Sequence, residues 1–97
     1  MIKKRRINAE KLYEAILKLE SVEECAALFE DLCTFQEVEA ISQRLDVAIE
    51  LHKGKSYTEV NKSTGASTAT ICRVSKALNY GNGGYITVIE RLEKNDN

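Results

Sequence analysis

The sequence predicts an all-α protein, and three observations carry that prediction. The 97 residues contain no proline and are rich in Leu, Ile, Ala, Glu and Lys, so little in the chain opposes helix formation. Apolar residues recur at spacings of three and four, the period of an amphipathic helix. Three stretches match S/T-x-x-E at the heads of such runs: Ser21-Val22-Glu23-Glu24, Thr34-Phe35-Gln36-Glu37 and Ser56-Tyr57-Thr58-Glu59. In that pattern the hydroxyl accepts the N3 amide, and the carboxylate reaches back to the N-cap amide.

The first helix is expected over about 9–19, with Asn8 as its cap, Glu10 in its first turn and Leu12, Ile16 and Leu19 on one buried stripe. The second, about 22–32, carries Val22, Cys25, Ala26, Leu28, Phe29 and Leu32 on an almost continuous apolar face. The third, about 35–53, is long and turns Val38, Ile41, Leu45, Ala48, Ile49 and His52 to one side. It ends at Gly54, a residue that accepts positive φ, with His52 and Lys53 complementing the negative end of the dipole. These helices present more apolar surface than one short chain readily covers, which points to an oligomer.

Residues 56–79 read as two short helices joined at Gly65, a helix-turn-helix. Val60, Ala66, Ile71, Val74 and Leu78 lie at spacings that bury a shared seam, and Ser67 caps the second helix. Thr68, Ala69, Cys72, Arg73 and Lys76 are left on its outer side. Small residues in a helix's first turn allow the close approach that a major groove demands. Thr58, Lys62 and Lys76 suit phosphate oxygens, and Ser67 and Thr70 complete the predicted DNA-binding set with the outer residues. Asn61 is a departure, since such motifs commonly hold Ala at that position of the first helix. From Asn79 through Gly84 the chain reads as a glycine-rich connector. A last helix over about 85–94 then turns Tyr85, Val88, Ile89 and Leu92 inward.

Charge is segregated although the formal net charge is only −1. Residues 1–8 hold Lys3, Lys4, Arg5 and Arg6 with no acid and form a basic N-terminal arm. Residues 9–50 hold eleven acids against Lys11, Lys18 and Arg44, whereas residues 51–80 oppose five cations to Glu59 alone. Basic blocks on either side of an acidic body are compatible with nucleic-acid binding. Behind the arm, residues 9–97 are expected to form a single domain.

Several chemistries are disfavoured. Cys25, Cys33 and Cys72 have no metal-ligand spacing and only His52 as a possible companion, so no metal site is expected. They read as reduced, buried, small apolar residues. No paired carboxylates, phosphate-binding glycine loop or nucleophile constellation suggests an enzyme. No apolar run reaches the ~18 residues a membrane span needs, and none at the start reads as an export segment. A cytoplasmic protein is therefore expected.

Residues 28–78 resemble the tryptophan-repressor superfamily, most nearly its small YerC/YecD-type branch. The likeness rests on Leu28-Phe29, Thr34, Glu37-x-Glu39-Ala40, Arg44, Glu50-Leu51-x-x-Gly54, Thr64-Gly65-Ala66-Ser67-x-Ala69-Thr70-Ile71-x-Arg73 and Ser75-x-x-Leu78. The resemblance implies an all-helical, intertwined homodimer whose two helix-turn-helix units stand one DNA turn apart, roughly 34 Å. It also implies a corepressor pocket in which Arg44 and Arg73 flank a planar ligand, with Thr34 nearby. Guanidinium groups stack on aromatic faces and bind carboxylates through two hydrogen bonds. Three departures, Val74 for a glycine, Ala77 for a serine and Phe35 for a proline, weigh against tryptophan itself. Another small aromatic or amino-acid ligand, or none, remains open. The expected function is a dimeric regulator that binds double-stranded DNA, most simply a repressor. The alternative is a protein-interaction module that uses the same scaffold without reading DNA.

Overall fold

The computed structural model describes residues 8–95. The basic stretch Lys3 to Arg6 lies outside the described residues. Six helices follow in order: α1 Glu10–Leu17, α2 Val22–Leu32, α3 Phe35–His52, α4 Tyr57–Thr64, α5 Thr68–Tyr80 and α6 Gly84–Asn95. No strand occurs among the described residues. The chain divides into two compact units, the first ending at Phe35 and the second beginning at Gln36.

Local chemistry explains most helix starts. Ser56 heads α4 with a complete capping box: its Oγ accepts from the Glu59 amide at 3.2 Å, and its own amide donates to Glu59 Oε1 at 2.8 Å. Ser21 is only half of one. Its Oγ accepts from the Glu24 amide, but the Glu24 carboxylate takes the Glu20 amide instead, at 2.8 Å. Asn8 does not cap α1. The N-cap is Ala9, which has no side-chain acceptor, and the helix covers two turns rather than the expected three.

The core belongs to the second unit. Val47 and Ala48 of α3, Val60 of α4, Ala66 in the turn, Ile71 and Val74 of α5 and Ile89 of α6 are buried together. Ile49, Leu51, Leu78 and Tyr85 pack against this cluster. Burying an aliphatic side chain of this size contributes roughly 1.5–3 kcal/mol, so these few residues set the mutual placement of α3, α4, α5 and α6. The predicted seam of the helix-turn-helix is present, with Leu78 half-buried at its end.

The first unit differs from expectation. Neither α1 nor α2 buries a residue. Ile16, Leu19, Leu28 and Phe29 are half-buried, while Leu12, Leu17, Val22 and Leu32 are exposed. The cysteines are free thiols but not core residues: Cys25 and Cys72 are exposed and Cys33 is half-buried. Cys72 lies on the α5 face opposite Ile71 and Val74, and Cys25 sits on a helix with no buried face. His52 is the last residue of α3 and exposed, as a dipole-complementing residue would be.

Candidate nucleic-acid interface

Helices α4 and α5 meet at Gly65, whose φ of +76° is the left-handed conformation that closes a helix with little strain in a residue lacking Cβ. Ser67 then caps α5, its Oγ accepting from the Thr70 amide at 3.2 Å. The same Oγ donates to the Thr70 hydroxyl at 3.2 Å, so Thr70 is half-buried and engaged in the cap.

The other predicted contact residues are exposed: Thr58 and Lys62 on α4, Ser67 before α5, and Thr68, Ala69, Cys72, Arg73 and Lys76 along it. Positions 68, 69, 72, 73 and 76 follow one another at helical spacing, so they share one stripe opposite the buried Ile71 and Val74. Lys62, Arg73 and Lys76 make no ion pair among the described residues. Lys53 and Lys55 differ, because both salt-bridge Glu50, at 3.4 and 3.0 Å. Arg73 and Lys76 thus carry uncompensated charge on the stripe itself, and Lys62 does so on α4.

Three residues beyond the predicted set, Ala77, Tyr80 and Gly81, extend this face. Tyr80 ends α5 almost fully exposed, four residues on from Lys76, and joins Cys72, Arg73, Lys76 and Ala77 around an open groove of about 680 Å³. The helix runs one residue past the expected connector at Asn79 and stops at Gly81. A Cβ on Gly81 would collide with the Ala77 carbonyl oxygen, so glycine is required there. The helical period, carried one turn further, would have included Tyr80.

Arg44 and Arg73, two of the predicted effector residues, line different grooves of the second unit. Arg44 is half-buried in α3 and lines a groove of about 620 Å³ with Ile41, Leu45, Ala77, Tyr85 and Val88. Arg73 lines the other groove, which shares Ala77 and Gly81 with the first. Thr34 is exposed at the end of the first unit, directly before α3. Val74 lines neither groove, because it is in the core. Its bulk therefore does not narrow the space beside Arg44, whereas Ala77 does face that space and offers no hydroxyl.

Comparison with known proteins agrees with this fold. The family model described as Trp repressor protein matches residues 8–93. The uncharacterized protein YerC of Bacillus subtilis (strain 168) is 44% identical over 87 residues, covering 90% of this chain and 84% of its own. The chain belongs to the Trp repressor family. Two solved Trp repressor relatives have the same fold. A candidate Trp repressor from Staphylococcus aureus superposes with a TM-score of 0.87 at 44% identity, over 93% of this chain and 91% of its own. A TrpR-like protein from Eubacterium eligens gives 0.86 at 47% identity, over 93% and 94%. The Trp repressor family is one of DNA-binding transcription regulators rather than enzymes. Among the described residues, no helix is long and apolar enough to cross a membrane.

Proposed function

We propose that this protein is a homodimeric helix-turn-helix regulator that binds double-stranded DNA sequence-specifically in the cytoplasm and represses transcription. Residues 9–97 act as one domain behind the basic arm of residues 1–8. The observation that carries this reading is the outer stripe of α5: small Thr68 and Ala69 at a capped helix start, with Arg73 and Lys76 uncompensated along the same stripe and Lys62 uncompensated on α4. The small residues allow entry to a major groove, and the cations hold phosphates on either side. Membership of the Trp repressor family supports it independently.

Dimerisation is supported by the first unit, where Leu17, Val22 and Phe35 are each at least three-quarters exposed. Apolar surface of that extent on neighbouring helices is the mark of an interface. The groove beside Arg44 suits a small ligand with an apolar body and a carboxylate. It offers one guanidinium and no acidic side chain, so a ligand ammonium would find no charged partner there.

Selection of bound duplexes from a random pool tests the reading. A regulator enriches two-fold symmetric sites with half-sites about one turn apart, and its log K falls steeply with log salt. A scaffold that binds only protein enriches no sequence.

A further inference from the structure

The turn between α4 and α5 is held by side chains. Asn61 Nδ2 donates to the Ala66 carbonyl oxygen at 2.7 Å. Thr64 Oγ1 accepts from the Ala66 amide at 3.2 Å while donating to the Val60 carbonyl at 2.7 Å. Both polar groups of Ala66, itself buried, are thus satisfied from α4. From α3, 21 residues earlier, Gln43 Nε2 donates to the Thr64 carbonyl at 3.3 Å. Carbonyl oxygens only accept, so each amide must present its nitrogen to make these bonds.

We propose that Asn61 and Gln43 are positioning residues. Acting through the Ala66 and Thr64 carbonyls, they set the angle at which α5 presents Thr68 and Ala69, and hence the sequence selectivity of the stripe. The proposal rests on the DNA-reading function above. Asn61 is the stronger member, since its bond is short and spans the turn itself; Gln43 bonds at the long end of the hydrogen-bond range. Bonds to bases tolerate little misplacement, whereas phosphate contacts by flexible lysines tolerate much. Loosening the turn should therefore cost selectivity before it costs general affinity. This also gives the Asn61 departure a purpose: alanine at that position would leave the Ala66 carbonyl without its side-chain donor.

Two readouts on the full chain test the proposal with Asn61→Ala, Asn61→Asp and Gln43→Ala. Asn61→Asp retains the size of the side chain and removes the donor. For both Asn61 variants, the ratio of selected-site to random-duplex affinity should fall about tenfold, with Gln43→Ala losing about threefold. In the DNA-free protein, exchange of the hydrogen-bonded amides of Ala66, Thr70 and Ile71 should accelerate at least tenfold in the Asn61 variants. An unchanged ratio overturns the proposal. So does a lowered ratio without faster exchange, which would mean that Asn61 touches DNA directly. If the native chain prefers no duplex, the DNA-reading function fails by itself; unchanged exchange would then show that the turn was never held by these residues.

Discussion

Ser67 Oγ and Thr70 form a reciprocal pair at the start of α5: the hydroxyl accepts the Thr70 amide and donates to the Thr70 side chain, each at 3.2 Å. The pair fixes the first turn of the helix that carries Thr68 and Ala69 between its two members. Ser67→Ala should lower stability by about 0.5–2 kcal/mol, and Ser67→Gly by only a few tenths, because glycine still adopts the cap conformation. Chemical denaturation of the two variants measures the difference.

Lys62 and Lys76 should behave differently from Thr68 and Ala69. Lys62→Ala or Lys76→Ala should weaken binding to all duplexes alike and reduce the salt slope by about one each. Substitutions at Thr68 or Ala69 should change which sequence is preferred at an unchanged slope. Salt titrations on selected and random duplexes separate the two classes.

The first unit predicts its own partner. Sedimentation should give about twice 10.9 kDa, and Leu17→Asp should shift the chain towards half that mass by placing a charge in the interface. Circular dichroism should show that most helix is retained, because the buried core lies in the second unit.

Core truncation should act elsewhere. Ile71 is buried on the inner side of α5, so Ile71→Ala should cost about 2–5 kcal/mol. Thermal unfolding measures that loss, and Cys72→Ala next to it should change little because its side chain is exposed.

Glu50 gives a pH signature. The hydrogen bond from Lys55 and the charge of Lys53 hold its carboxyl below the ordinary value of 4.5, outweighing an opposing effect of partial burial. A carboxyl whose pKa is lowered by folding stabilises above its unfolded pKa, and that contribution disappears as pH falls through the lower folded value. Glu50→Gln should thus be less stable than the native chain at neutral pH, with the gap closing below about pH 4.5. Paired denaturation curves from pH 7 to pH 3 follow it.

Much of the helix-turn-helix was legible from residues close together in the chain. Ser56 with Glu59, Gly65, and Ser67 with Thr70 act within a span of three or four residues, and a local pattern states such chemistry directly. The helix period likewise separated Ile71 and Val74 from Thr68, Ala69, Cys72 and Arg73. The same period said little about α1 and α2. It identifies an apolar face but not what covers that face, so the expected burial of Leu12 and Cys25 did not follow.

Sequence alone thus determined where α2 to α5 begin, which residues of α5 face inward, and that small residues and cations share its outer side. These outcomes follow from backbone hydrogen bonding and a fixed angular period. Tertiary structure decided that Val74 fills the core rather than a ligand space, that Arg44 and Arg73 line separate grooves, and that Gln43 reaches Thr64. Those depend on how helices distant in sequence pack, and packing is settled by the shapes of many side chains at once.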